Sequence, residues 1–360
     1  MSSPYMQWAK LHSSAKYNLA TSGIMSYPLA ELPVRIDELE INGPDSYGYP
    51  ELIERLARYN KVEAECVVTA AGTSLSNHLA MAATFDPGDE VLIEYPTYEL
   101  LETSAEYLGA KLRRFERRRE DGFRIDPAEV ERSMTLRTKL VVITNLHNPT
   151  GAYADEETIR SVGEIAKTHG ARVLVDEVYL ETFYGNRPRT AFHLGEQFLV
   201  TSSLTKAFGL SGVRCGWVLA SPELCHRVKR IHDFYGVNPA HPADLISVVA
   251  LDHLDKVSAR AERILAANWP VLDAFLNSRH DLEFFHPQHG TIVFPRLTRG
   301  SVEELTALLR EKYETSVVPG SFFDMPQHFR VGIGGEPEMT REGLHRLGMA
   351  LDEYGPLGRG

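Results

Sequence analysis

Cysteine is scarce in this 360-residue chain: there are three, Cys66, Cys215 and Cys225, with no CxxC pair and no metal-ligand spacing. An odd, unpatterned set argues against a disulfide scaffold and suits a reducing compartment, so a cytoplasmic protein is expected. Long hydrophobic runs are missing as well. No stretch approaches the apolar length of a membrane span, and the opening "MSSPYMQWAKLHSSAKYNLA" has no continuous apolar core of the signal-peptide kind. Positive charge is in deficit, with a formal net charge of -11. That disfavours nucleic acid as a partner, because phosphate binding needs a concentrated basic face. The densest basic cluster, "RRFERRRE" at 113–120, is interrupted by acids and reads as solvated surface. Also absent are a GxSxG elbow, a Walker A loop and an HExxH pair, and the fourteen histidines are scattered, so no metal is expected.

What is present is an ordinary globular composition, 43% hydrophobic and 24% charged, in a chain long enough for two domains. Between about 67 and 220, short apolar runs alternate with helical stretches. The runs are "CVVTAAGT", "DEVLIEYP", "AKLRRFE", "KLVVITN", "ARVLVDEVY", "QFLVTSSLTK" and "GWVLAS". Several are rich in Val, Ile and Leu without polar alternation, as strands buried on both faces are. In "DEETIRSVGEIAKTHG", Ile159, Val162, Ile165 and Ala166 recur at helical spacing and Gly170 is placed to end the helix. The alternation predicts an α/β fold with a mostly parallel central sheet sandwiched by helices. Beyond about 252 the pattern changes to a long helical stretch, in which Pro270 should bend or break the helix, then strand-like "GTIVFPRL", helical "SVEELTALLREKY" and strand-like "HFRVGIGG". The expected division is a large domain at 45–250, with 1–44 and 251–360 forming a smaller α+β domain and an N-terminal arm.

Ligands of open α/β sheets bind outside the carboxyl ends of the strands. Here those ends carry "AGTS" with Gly72 and Thr73, Tyr98, Asn148 in "HNPTG", Asp176 followed by Tyr179, and Ser203, Thr205 and Lys206; Arg214 returns at the start of the next strand. One amine, one carboxylate, one amide, two phenols, one arginine and a hydroxyl-rich anion nest therefore converge. Pyridoxal 5'-phosphate uses all of them. Its aldehyde takes an amine, its ring nitrogen a carboxylate, its phosphate an arginine and hydroxyl or backbone donors, and its flat ring an aromatic neighbour.

With "AGTS", "YPTYE", "HNPTG", "VDEVY", "SSLTKAFGLSGVRCGW" and "HFRVGIGG" in this order, the whole chain resembles the class I/II aminotransferases, fold type I pyridoxal-phosphate enzymes. The resemblance implies that Lys206 forms the Schiff base with the cofactor and later shuttles the substrate proton. It implies that Asp176 pairs with the ring nitrogen, that Tyr179 and Asn148 hold the ring oxygen, and that Tyr98 stacks on the ring. Gly72, Thr73, Ser203, Thr205 and Arg214 would hold the phosphate. Arg330 would bind the substrate carboxylate, with Gly23 of "ATSGI" closing over it. A homodimer with shared active sites, acting on amino acids and 2-oxo acids, is implied as well.

Two places depart from the family pattern. Gly43 stands where a tyrosine usually reaches the partner subunit's phosphate, leaving Tyr47 or Tyr49 as substitutes. Counting back from Asn238-Pro239, Asp233 stands where aspartate-type enzymes carry an arginine for a second carboxylate, so neutral, aromatic or basic amino acids are the expected substrates. The expected activity is transamination; a lyase, decarboxylase or cyclising synthase on the same scaffold is the alternative. A cofactor-sensing regulator would need an appended helix-turn-helix, for which the segment ahead of "PEL" is too short.

Overall fold

The structure, a computed structural model, describes residues 2–44, 46–237 and 239–357, with side chains up to 354 in the last helix. The chain opens with helix α1 (Pro4–Leu11), capped by the Ser3 hydroxyl and started by a proline, and a short strand β1 (Tyr17–Asn18). Then come α2 (Pro50–Asn60), β2 (Val67–Ala71), α3 (Thr73–Ala82), β3 (Glu90–Tyr95), α4 (Glu99–Tyr107), β4 (Lys111–Glu116), α5 (Pro127–Ser133), β5 (Thr138–Thr144), α6 (Glu156–Thr168), β6 (Arg172–Asp176), β7 (Phe198–Ser203) and β8 (Cys215–Leu219). All seven runs read as strands from the sequence join one sheet, in the order β2-β8-β7-β6-β5-β3-β4. Only β8 runs antiparallel to its neighbours. Its start therefore lies beside the carboxyl ends of the others, which is what brings Arg214 next to Lys206.

Side chains alternate across this sheet. Val141, Ile143, Val173, Val175 and Val200 pack on one core with Leu56, Ile159 and Val162 of the helices; Leu140, Val142, Leu174 and Leu199 pack on the opposite core with Leu79 and Leu101. Helices on both faces leave the inner strands β3, β5 and β6 no polar side to show, hence their apolar composition, while the edge strand β4 is mostly exposed. Helix α6 ends as its sequence suggests, with Gly170 at φ +68 just past the cap.

The chain continues through α7 (Pro222–His232), α8 (His241–Asp252), α9 (Leu254–Asn277), β9 (Leu282–Glu283), β10 (Ile292–Val293), β11 (Arg296–Leu297), α10 (Val302–Tyr313), β12 (Thr315–Ser316), β13 (Val318–Pro319), β14 (Phe329–Gly332) and α11 (Pro337–Leu357). A separate hydrophobic core joins α9, α10, α11 and β14 to Leu19 and Ile24 of the N-terminal segment, and β1 pairs with β12. Pro270 does not break α9, which runs on to Asn277. Buried Ile264, Leu265, Asn268, Leu272 and Leu276 hold the helix on both sides of the missing hydrogen bond, so packing outweighs it.

Beneath the strand ends lies a fully buried ion pair. Arg117 Nη1 is 2.7 Å from Glu94 Oε2, and Arg117 Nε donates to the Phe123 carbonyl at 2.6 Å. The other Glu94 oxygen accepts from the Thr144 amide (2.7 Å) and hydroxyl (2.6 Å), and that hydroxyl accepts from the Asn148 amide at 3.0 Å. Arg117→Leu leaves Glu94 charged and uncompensated, so it should cost roughly 3–5 kcal/mol in urea denaturation, and adding Glu94→Gln should recover much of the loss. Equal destabilisation by the single and double variants would show that the pair is not coupled.

Candidate active site

A cavity of about 310 Å³ opens at the carboxyl ends of the sheet strands. Lys206, Asp176, Tyr179, Asn148, Tyr98, Thr73, Ser203, Thr205, Arg214 and Arg330 all line it. Gly72 and Gly23 do not, but each abuts a lining residue. A Cβ on Gly72 would collide with the Arg214 guanidinium, and one on Gly23 would press on the Lys206 backbone at 3.1 Å.

Asp176 ends β6, and the register sets it between Thr144 of β5 and Thr201 of β7. Its Oδ2 accepts from Asn77 Nδ2 at 2.8 Å and its Oδ1 from the Val178 amide at 3.1 Å, while Thr201 donates to Asn77 Oδ1. Burial pushes its carboxyl up to about 6, against the pull of Asn77, Val178 and Lys206. Lys206 follows β7. Its amine is enclosed and donates to Ser22 Oγ at 2.9 Å; burial, helped by Arg330 and Arg214 and opposed by Asp176, lowers it to about 8. The Tyr179 hydroxyl is buried with no partner in hydrogen-bonding geometry, although Ser22 is near enough to oppose the burial that drives it to about 12. Tyr98 caps the start of α4, and burial raises its phenol far above the ordinary value.

At the other side of the lysine, Thr73 donates to Ser203 Oγ at 2.8 Å, and the Thr205 amide points to the same oxygen at 3.3 Å. Thr205 Oγ1 is buried without a partner. Arg214, exposed and at φ +54, is held by the carbonyls of Ala71 (3.0 Å) and Ser211 (3.2 Å). Together with the first amides of α3, these groups form an anion site. Arg330 of β14 enters from the opposite wall, 1% exposed. Its Nη1 donates to Asn148 Oδ1 at 2.9 Å and its Nη2 to Tyr5 Oη at 2.8 Å, while its Nε is buried and unpartnered.

This set of groups, with the Tyr179 and Thr205 hydroxyls and Arg330 Nε left without partners, fits pyridoxal phosphate. Lys206 suits its aldehyde, Asp176 its ring nitrogen, Tyr179 its ring oxygen, and Thr205 with Arg214 its phosphate. Sequence reasoning missed three residues that the geometry adds: Asn77, Ser22 and Tyr5. Asn77 carried little signal, being one polar residue among Thr73, Ser74, Ser76 and His78 of its helix. Tyr5 follows the helix-start pair Ser3-Pro4 and is spaced with Trp8 and Ala9 as one helix face. Ser22 carried none beyond adjacency to Gly23.

Tyr47, Tyr49 and Asp233 lie away from this cavity. Tyr47 is exposed, donates to Asp233 at 3.2 Å and accepts from Arg230, which pairs with Asp233 at 3.0 Å; Tyr49 packs edge-on against His241. Asn238, from which Asp233 was placed, lies outside the described residues. Among the described residues no helix is long and apolar enough to cross a membrane.

The family model described as "Aminotransferase class I and II" matches residues 38–347. Capreomycidine synthase of Streptomyces vinaceus is 28% identical over 99% of this chain and 95% of its own length. An aspartate aminotransferase of Pyrococcus horikoshii is 27% identical over 85% and 82%, and an arginine–pyruvate transaminase of Pseudomonas aeruginosa 26% identical over 86% and 82%. A crystal structure of a PLP-dependent aminotransferase from Streptococcus suis superposes with TM-score 0.92 at 26% identity, over 98% of this chain and 99% of that one.

A carboxyl whose native pKa is raised binds more protons folded than unfolded. Its burial therefore costs nothing below the unfolded value, and stability falls as pH rises through about 4 to 6. The cofactor-free Asp176→Asn protein should exceed its parent in urea stability above pH 6, by up to ~3 kcal/mol, with the gap closing toward pH 4. A gap that does not change with pH would contradict the assigned cause.

Proposed function

The chain belongs to the class I and II aminotransferase family and uses pyridoxal 5'-phosphate, and on that premise we propose that it moves an amino group between an amino acid and a 2-oxo acid. The observation that carries this reading is that the Lys206 amine, the Asp176 carboxylate and the Arg330 guanidinium face one cavity. When bound, the cofactor supplies an aldehyde to be captured by amines and an electron-accepting ring. Lys206, with its amine lowered to about 8, gives up its proton more readily than an ordinary lysine; it would anchor the aldehyde and then carry the proton at substrate Cα. Asp176 would hold a proton on the ring nitrogen, and Tyr179 and Asn148 would donate to the ring oxygen. Tyr98 would stack on the ring. Gly72, Thr73, Ser203, Thr205 and Arg214 would hold the phosphate. Arg330 binds the substrate carboxylate as a fork, backed by Asn148 and by the Gly23 turn.

We further infer a cytoplasmic homodimer. The three cysteines are free and buried, which suits a reducing compartment. Ile41 and Phe234 are 82% and 87% exposed, apolar surface that a partner subunit would cover.

A second reading, a cyclising synthase that keeps the α-nitrogen, is favoured by one observation. The synthase relative matches 99% of this chain and the two transaminase relatives 85–86%, while a solved aminotransferase structure covers 98% of it. Incubation of the holoenzyme with single amino acids and no acceptor separates the two. Transamination releases up to one equivalent of 2-oxo acid per subunit, detectable by mass spectrometry; an altered amino acid that retains its nitrogen, with no 2-oxo acid, would replace it by the synthase reading.

Lys206→Ala should lower turnover by roughly 10³-fold or more in steady-state assays while still binding cofactor. Arg330→Lys, which loses the bidentate fork, should raise KM for the amino donor roughly tenfold to a hundredfold with a smaller change in kcat. An unchanged KM would remove Arg330 from the carboxylate site.

A further inference from the structure

Helix α1 presents Tyr5, Met6, Trp8 and Ala9 to the cavity on the side where Arg330 enters, and Ser13 follows just beyond it. The four charged residues of that cavity are Lys206, Asp176, Arg214 and Arg330. If the reading above is right, cofactor and substrate carboxylate occupy all four. Among the described residues of this subunit no further charge lines the cavity to meet the rest of the substrate; what α1 presents there is a thioether, an indole, a methyl group and hydroxyls.

The wall is held firmly. Glu99 Oε2 accepts from the Ser3 hydroxyl at 2.7 Å and from the Tyr5 amide at 2.9 Å, fixing the start of α1 to α4. Tyr5 accepts from Arg330 and packs edge-on against Tyr98, with ring centroids 5.6 Å apart. Trp8 leans on Phe322 at 5.4 Å. Trp8 also lines a second cavity, bordered by Glu303, Arg310 and Glu311, so its indole is the partition between those charges and the substrate side.

We propose that α1 is the side wall of the substrate side-chain subsite, and that Trp8 with Met6 makes it select aromatic or large aliphatic amino acids over dicarboxylates. A second carboxylate placed against this wall loses water and gains no cation from α1, whereas a phenyl ring gains an aromatic contact. Tyr5 is the positioning residue that couples the wall to Arg330.

The test is calorimetric titration of the holoenzyme with two unreactive carboxylates, 3-phenylpropionate and succinate. The parent should bind 3-phenylpropionate at least tenfold more tightly. Trp8→Ala, which joins the two cavities, should bring the ratio toward one mainly by weakening 3-phenylpropionate, and Trp8→Phe should keep it. Succinate binding as tightly as or more tightly than 3-phenylpropionate, equal loss of both ligands in Trp8→Ala, or no binding of either overturns the proposal. Neither ligand has an amino group, so the outcome does not depend on which reaction follows. Selectivity without 2-oxo acid release from any amino acid sinks the transaminase reading alone; 2-oxo acid release with no selectivity sinks only the wall.

Discussion

A carboxylate stripped of water at the end of β6 is the constraint on which the site depends. Asp176 is 4% exposed, and a buried charge persists only where other groups replace its hydration. Asn77 and the Val178 amide do so, and Asn77 is itself held by Thr201. The arrangement requires α3 to dock with Asn77 turned inward and requires parallel register between β5, β6 and β7, so that Thr144, Asp176 and Thr201 form one row. The burial that lifts Asp176 to about 6 also lowers Lys206 to about 8. Between those values the two carry mostly opposite charges in the same cavity.

A second polar chain ties the sheet to the rest of the molecule. It runs from Arg117 through Glu94, Thr144 and Asn148 to Arg330 and ends at Tyr5 of α1. Arg330 belongs to β14 and hence to the core built by α9, α10 and α11, whereas Asn148 follows β5 of the large sheet. The guanidinium therefore sits where two separately packed bodies meet, with one N–H left unpaired. Groups satisfied on both sides fix its plane before any ligand arrives, and such preorganisation is what makes a bidentate fork selective.

The sheet was legible because its inner strands are buried on both faces and alternate with helices that have clear ends; the edge strand β4 is mostly charged and exposed. Each of the seven apolar runs became a strand of it. The cavity-lining groups were legible for a related reason: strand ends in a doubly covered sheet are the places where polar side chains interrupt apolar runs, and Lys206, Asp176, Asn148 and Arg214 each do so. Pro270 misled because its local cost was weighed without the tertiary packing of α9 on both sides of it. Asn77 and Tyr5 were not found because their significance is relational. An amide inside a helix, or a tyrosine near the start of the chain, acquires a role only when α3 and α1 are docked. Asp233 was placed by counting along the chain, and the fold turns it to Arg230 and Tyr47 at the surface.

The cofactor activates several bonds at the same carbon, so residues that hold it cannot by themselves choose the reaction or the substrate. Relatives as different as a synthase and two transaminases fit one pattern for that reason. Selection has to come from whatever orients the substrate beyond its carboxylate. The shared family pattern begins at residue 38, so it contains Lys206, Asp176, Arg214 and Arg330 but not α1, Ser22 or Gly23. The segment outside the pattern is the one that faces the substrate side of the cavity, anchored through Glu99 and Arg330. A helix of two turns can change its inward side chains without disturbing the sheet, the buried carboxylate or the lysine. On the proposed reading, the wall can differ while the machinery stays the same, and α1 is the segment through which this protein's preference would be set.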